Sequence, residues 1–254
     1  MRARECLVDG IALGQWVEYV GSGSAEELRD ELAGLEGVGQ LLDGGGIGVS
    51  PVGDFYEFSD HSGDVVDPLR AVAKFVVATE KALAGGYTGL RAVVDCTAAA
   101  RTAHQRAAFA RFEYLIGQQM SALPVTALCA YDLSELGRAA VAEMACLHPL
   151  ASAGVTPFHL YAEGDAEFAL AGELDLSCAD LFATTLERIM PLCRGPELVV
   201  NGGGLEFIDH RRLLVLAEHA RRANATIVLR TTWPGVGRII GFLAVEGVRV
   251  ESLV

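Results

Sequence analysis

Lysine is almost missing from this chain. Of its 20 basic residues 18 are arginine, and the only lysines are Lys74 and Lys81. A phosphate-binding P-loop needs Gly-x-x-x-x-Gly-Lys-Ser/Thr, with the lysine reaching the phosphates. Neither lysine has that context, which excludes a standard P-loop nucleotide hydrolase. The sequence also has no Gly-x-Ser-x-Gly elbow, no His-Glu-x-x-His and no kinase catalytic loop. Its six cysteines (Cys6, Cys96, Cys129, Cys146, Cys178 and Cys193) include no Cys-x-x-Cys pair, and no histidine stands at zinc-finger spacing from them. They read as small buried hydrophobes in a reduced cytosol rather than disulfides or metal ligands, so no metal and no cofactor is expected. No apolar run approaches the roughly 18–20 residues of a membrane span. Acids interrupt the N-terminus where a signal peptide needs an apolar stretch. These absences lead us to expect a soluble, cytoplasmic protein with no membrane partner. Positive charge is scarce too: the net charge is −13, which argues against nucleic acid as a partner.

What is present is an ordinary globular composition, 51% hydrophobic and 21% charged. The length of 254 residues suits two modest domains. Along the first part, strands are expected at 15–20, 47–52, 90–95 and 125–131. Helices are expected from Ser24, with Glu27 completing a capping box, from Asp67-Pro68 to Gly85, over 103–121 and over 136–147. Strands alternating with helices imply a parallel sheet covered on both faces. The small residues of 150–157 are the best linker candidate. Beyond them come adjacent strands at 158–163 and 167–174, a helix at 178–190, a strand at 197–201, a helix at 210–222, a strand at 226–230, a helix at 236–245 and a short strand at 247–251.

Few residues single themselves out for chemistry. Gly21-Ser22-Gly23-Ser24, at a strand-to-helix turn, reads as a turn and helix cap, although its backbone N–H groups could also face an anion. The six histidines are scattered and read as surface or helix-end residues. Glu57, Asp60, Asp64 and Asp67 surround His61 in what reads as a solvated acidic loop, with a cation site as the sharper alternative.

Two stretches of the second half carry a specific pattern: Leu170-Ala-Gly-Glu-Leu-Asp175-Leu, and Leu198-Val-Val-Asn201-Gly-Gly-Gly-Leu205-Glu-Phe207-Ile208-Asp209-His210-Arg-Arg-Leu213. They resemble the STAS domain of anti-sigma-factor antagonists over 157–254. That resemblance implies a small mixed sheet with helices, acting as a protein-binding module, with an anti-sigma factor, a kinase-like regulator or another STAS protein as partner. The family's switch is a phosphorylated Ser or Thr at the start of the helix after Phe-Ile-Asp. Here those positions are His210 and Arg211, followed by Arg212, and no Ser, Thr or Tyr occurs from Leu186 to Ala225. The usual phosphate cannot be placed. Three readings follow: a constitutive binder, a scaffold or oligomerisation surface, or phosphate on His210 itself. Phe207, Asp209, His210, Arg211 and Arg212 would mark the docking edge. Arg211-Arg212 and Arg221-Arg222, with Arg230 and Arg238, read either as a solvated helix face or as a basic patch for an acidic partner.

Three segments of the first half recur in a second family. They are Gly10-Ile-Ala-Leu-Gly14-Gln-Trp-Val-Glu-Tyr-Val20, Gly86-Tyr-Thr-Gly89-Leu-Arg91, and Leu128-Cys-Ala-Tyr131-Asp132 running on to Leu147-His148-Pro149. Together with Glu113 they resemble the MEDS domain, the methanogen/methylotroph DcmR sensory domain, over about residues 8–150. The resemblance implies a KaiC- or RecA-like parallel-sheet core acting as a sensor. The family's usual opening strand would precede residue 1, so this core is expected to be truncated at its start and to lack the phosphate loop. A ligand pocket would lie at the carboxyl ends of the strands, near Gly21, Ser22, Gly23 and Ser24, Asp95 and Thr97, and Tyr131 and Asp132.

The expected protein is therefore an α/β chain of two domains, a sensory 1–150 and a STAS-type 157–254. It would be a regulator that docks a partner without catalysis and without the Ser/Thr switch. The alternative is a small-molecule sensor or scaffold whose second domain forms homo-oligomers. A nucleotide enzyme is a third class, for which neither ATP binding nor turnover is expected. Charge divides unevenly between the halves: 11 basic and 20 acidic residues over 1–152, 9 and 13 over 153–254.

Overall fold

The computed structural model describes residues 2–35, 37–59 and 63–253. Asp60 and His61 of the acidic loop lie outside the described residues. The chain is α/β and folds as two compact units, Met1–Gly137 and Arg138–Val254. The division falls at Gly137, whose positive φ breaks a helix, and the 150–157 stretch belongs to the second unit.

The first unit opens with helix α1 (Arg2–Ala12), which periodicity alone did not announce. Then follow β1 (Trp16–Gly21), α2 (Ala25–Ala33), α3 (Gly39–Asp43), β2 (Ile47–Pro51), α4 (Val52–Phe55), α5 (Pro68–Ala84), β3 (Leu90–Asp95), α6 (Ala103–Met120), β4 (Val125–Ala130) and α7 (Leu133–Ala145). The four strands are parallel in the order β2-β1-β3-β4. Capping fixes the helix starts. Ser24 and Glu27 form a reciprocal capping box on α2, Thr102 and Gln105 one on α6, and Asp67 caps α5 with Pro68 at its first turn.

Side chains alternate across the strands, so the sheet has two buried faces. On one, Val17, Ile47 and Val93 pack with Leu7, Leu32, Val38 and Leu42 from α1 to α3. On the other, α5 and α6 set down an aromatic layer. Tyr56 meets Phe109 and Phe112 edge-on at 5.4 and 5.3 Å, and Phe55 meets Phe75 at 4.9 Å. Each buried ring contributes about 1.5–3 kcal/mol relative to exposure. Gly89 lets the β3 entry pass close to its neighbour, since a Cβ there would stand 2.2 Å from the Pro124 carbonyl oxygen.

The second unit takes the end of α7 and adds β5 (Phe158–Glu163), β6 (Ala166–Leu174), α8 (Ala179–Ile189), β7 (Glu197–Asn201), β8 (Leu205–Ile208), α9 (His210–Arg222), β9 (Thr226–Thr231), α10 (Gly235–Leu243) and β10 (Val248–Ser252). The sheet order is β10-β9-β7-β6-β5, with β8 also pairing β6. Only the β5–β6 pair is antiparallel, so this sheet is mixed. β7 and β8 run in succession beside β6, pairing at Phe168↔Val200 and again at Glu173↔Phe207. Gly202-Gly203-Gly204 forms the break between them, which is why β8 is only four residues long. Phe158 and Phe182 pack edge-to-face at 5.6 Å. Glu143 from α7 pairs with Arg188 at 2.6 Å, both side chains less than a fifth exposed, and the Leu160 N–H donates to the Cys146 carbonyl at 2.6 Å. The last turns of α7 thus belong to this core.

Candidate functional site

In the first unit the strand order reverses between β1 and β3, and ligands of open parallel sheets bind outside the carboxyl ends at such a point. The turn after β1 is Gly21–Ser24. Its capping box is already formed: the Ser24 N–H and hydroxyl both donate to Glu27 Oε2, at 2.8 and 2.9 Å. Those bonds hold the Glu27 carboxyl below its ordinary range. A carboxylate therefore sits where an anion would approach. At the end of β3, Asp95 Oδ1 accepts from the Thr97 N–H at 3.0 Å, and Thr97 Oγ1 accepts from the Asp132 N–H at 2.9 Å. Asp132 in turn accepts from the Ser134 N–H and hydroxyl, which lowers its pKa. The structure thus ties Asp95 and Asp132 into one hydrogen-bonded turn system through Thr97, and leaves Gly21–Ser24 in a separate one.

Beneath that rim lies a cluster the sequence did not reveal. Cys96 follows β3, Cys129 is on β4 and Glu113 is on α6, and their ligand-capable atoms all lie within 4.8 Å of one another. The Cys129 thiol faces Glu113 Oε1 at 3.7 Å, and Tyr56 Oη lies 3.8 Å from Cys96 Sγ. Burial pushes the Tyr56 phenol well above its ordinary pKa, reinforced by Cys96, Cys129 and Glu113. The Tyr131 phenol is raised in the same way, first by burial, then by Cys96 and Glu113. Tyr131 thus points inward to this cluster instead of lining an open rim.

A sizeable cavity of this unit lies elsewhere. It has a volume of about 460 Å³ and sits under α5, walled by Trp16, Phe55, Phe75 and Tyr87. Both lysines of the chain, Lys74 and Lys81, reach it, as do Glu18 and Asp54. Glu18 is fixed by the Trp16 indole N–H at 3.0 Å and by a short hydrogen bond from Ser50. Lys74 pairs with Glu57 at 3.0 Å and donates to the Asp54 carbonyl. None of the residues named from the strand ends lines this space. Its signal was nonetheless in the sequence: Lys74 and Lys81 are seven apart, which puts both on one face of a helix. Of the acidic loop, Glu57 is spent on Lys74 and Asp67 on capping α5.

In the second unit, β8 and α9 position the residues expected to dock. Asp209 is the N-cap of α9, its Oδ1 accepting from the Arg212 N–H at 2.8 Å. His210 and Arg211 then project outward, both exposed. Arg212 does not: it is 6% exposed, and its guanidinium pairs with Asp209 Oδ2 at 3.2 Å. One helical step of about 100° separates an outward from an inward arginine. The wider basic patch is mostly neutralised. Arg221 and Arg222 both hold Glu218, while Arg230 holds Glu251. Arg211 and Arg238 have no ion pair among the described residues.

Beside His210 an open groove of about 680 Å³ is lined by Phe207, Ile208, Asp209, Arg238, Ile239, Phe242 and Leu243. Phe242 is 89% exposed, and Phe207 and Leu243 are each 41% exposed. The α10 contribution was missed because its apolar face reads as core in the sequence.

No helix among the described residues is long and apolar enough to cross a membrane. Among curated proteins, none matches the chain. A family model does: MEDS, the methanogen/methylotroph, DcmR sensory domain, matches residues 1–149. That span holds all four parallel strands, the thiol and carboxylate cluster and the cavity under α5. The match ends before β5. With a sensory domain as its larger part the chain serves sensing or signalling, and it belongs to the MEDS family.

Proposed function

We propose that the protein is a signalling regulator whose second unit docks a partner protein, in the manner of an anti-sigma-factor antagonist but without a Ser/Thr phosphorylation switch. The observation that carries this reading is the groove between β8, the start of α9 and α10. Its apolar residues stand in water: Phe207, Phe242 and Leu243 are all at least 41% exposed. A contiguous exposed apolar patch with a charged rim marks an interaction surface. Arg238 lines the groove, the groove's one acid, Asp209, is paired with Arg212, and the exposed Arg211 follows His210 on α9, so the fitting partner presents an apolar anchor flanked by acids. The strand and helix order of 157–254, with the resemblance of its two motifs to the STAS pattern, supports the same reading. Where that family carries its phosphate, this chain holds His210 and Arg211 outward.

The test is recovery of an anti-sigma factor or kinase-like regulator by the purified chain, compared with Phe242→Asp and Arg238→Glu. The wild type should recover it and both variants should lose it. Equal recovery by all three, or no such regulator, sinks the proposal. Arg212→Glu is the wrong probe, since Arg212 is inside the fold.

A second reading has its own observation. The cavity of about 460 Å³ under α5 has the size and aromatic walls of a small-molecule site. In that reading the first unit senses a small molecule and the second only assembles copies of the chain. Light scattering on Arg211→Glu/Arg238→Glu separates the two. An oligomer that falls apart favours assembly, whereas an intact one that has lost its partner favours docking.

A further inference from the structure

We propose that Cys96, Glu113 and Cys129 are three protein ligands of a divalent metal site of the zinc type, with a fourth position open to water or a small ligand. Two of the three sit on regular elements, Cys129 on β4 and Glu113 on α6, and Cys96 directly follows β3. Cys96 is locked to the neighbouring strand end by its own N–H, which donates to the Ala130 carbonyl at 2.8 Å. Cys129 lies within β4, and Glu113 projects from the middle of α6 beside the buried Phe109 and Phe112. Cys129 and Glu113, held on a strand and a helix, keep their geometry better than ligands on loops, and the backbone bond to Ala130 anchors Cys96 beside them.

The spacing suits the ion. Zinc binds thiolate sulfur at about 2.3 Å and carboxylate oxygen at about 2.0 Å, so a tetrahedral site has S···S edges of about 3.8 Å and S···O edges of about 3.5 Å. Cys129 Sγ and Glu113 Oε1 are 3.7 Å apart, and every pair in the cluster is within 4.8 Å. An ion at the centre therefore needs adjustments below about 1 Å at each ligand. Two sulfurs with one oxygen favour zinc or cobalt over magnesium or calcium, which take oxygen ligands. On binding, the two thiol protons pass to solvent and the carboxylate enters ionised, so the assembly carries −1 around a divalent ion. The Tyr56 hydroxyl, 3.8 Å from Cys96 Sγ, is placed to donate to a bound thiolate, as outer partners of metal ligands commonly do.

The burial pattern leaves an entry. Cys96 is fully buried, whereas Glu113 and Cys129 are only half-buried. The ion would be approached from the α6–β4 side, and its open position would face the same way. Three protein ligands with one vacant position is the arrangement of a site that exchanges a small ligand, whereas a purely structural zinc site is closed by four. The cluster also adjoins the cavity under α5, because Tyr56 meets Phe55 edge-on at 5.3 Å and Phe55 lines that cavity.

The experiment is a cobalt titration of the full chain, kept reduced, followed by absorption. The wild type should take up one cobalt ion, with a thiolate-to-cobalt charge-transfer band and intense tetrahedral visible bands, all removed by added zinc. Cys129→Ser should halve the charge-transfer intensity per cobalt, and it should weaken binding by at least about tenfold. Glu113→Gln should keep the thiolate band while weakening binding to a similar degree. Cys6→Ser, a thiol of the same unit outside the cluster, should change nothing. Circular dichroism confirms the fold of each variant; if Cys96→Ser fails to fold, the half-buried Cys129 decides. A wild type with no thiolate band overturns the proposal, and so does a band unaffected by Cys129→Ser.

Discussion

Asp209 offers a sharp test of how the docking face is held. It does two jobs at once. Its Oδ1 caps α9 by accepting the Arg212 N–H at 2.8 Å, and its Oδ2 pairs with the Arg212 guanidinium at 3.2 Å. Arg212 is 6% exposed, so Asp209→Ala leaves a buried charge with its partner gone. That costs about 3–5 kcal/mol, against about 1 kcal/mol for a lost cap alone. The two effects share one carboxylate and do not simply add; we expect about 4 kcal/mol in total. Asp209→Asn keeps the cap and removes only the charge, so it should fall between wild type and Asp209→Ala. Arg212→Met removes the charge and keeps an apolar stem, and should cost less than about 1.5 kcal/mol. The assay is urea unfolding followed by Trp233 fluorescence in a Trp16→Phe background; these are the chain's only tryptophans. Trp233 lies 5.8 Å from Phe207 and reports on the second unit. A cost for Asp209→Ala below about 1 kcal/mol, or an equal cost for Arg212→Met, would refute the buried pair.

Other outcomes are expected. Gly172 has φ +82, and a Cβ there would stand 2.5 Å from the Pro157 carbonyl oxygen; Gly172→Ala should destabilise by at least about 2 kcal/mol in the same urea assay, because backbone and not a flexible side chain must move. Asp132 and Asp175 have lowered pKa values, caused first by hydrogen bonds from the Ser134 and Ser177 hydroxyls. Carboxyls held low stabilise fully above their ordinary values, about 4, and lose that contribution as pH falls through the folded values. Melting temperature should therefore drop on acidification below about pH 4, less steeply in Asp132→Asn/Asp175→Asn; an equal drop in that double variant would remove these turns as a cause. Burial pushes the Cys146 thiol up to about 12. Cys146 should stay unreactive to thiol reagents at pH 8 in the folded chain, and rapid native labelling, read by mass spectrometry, would contradict its packing.

Much of the fold was legible because local rules and tertiary structure agreed. Asp67-Pro68 and Gly85 bracket α5, and the apolar runs at 90–95 and 197–201 are strands over those same residues. Three kinds of element were not legible. Helix α1 has Gly10 and scattered charges, and its helicity is secured by Leu7 packing under the sheet. Helices α3 and α4 sit in a Gly-rich stretch whose propensity argues against them. β8 is hidden behind three glycines and is defined by its register on β6. The sites show a similar division. Arg211-Arg212 reads as a pair, but helical rotation sends Arg212 to Asp209. The cysteines read as isolated apolar residues, and only the β3–β4 pairing with α6 above brings Cys96, Cys129 and Glu113 together.

The central claim is that the second unit binds a partner through the Phe207–Phe242 face. Calorimetric titration of the recovered regulator with the full chain tests it most directly. Phe242, 89% exposed in the free chain, should behave as an anchor, so that Phe242→Asp weakens binding by at least about 30-fold, the ~2 kcal/mol of an interface hot spot. Lys81→Glu, in the other unit, should leave the affinity unchanged. An unaltered affinity for Phe242→Asp would contradict the account.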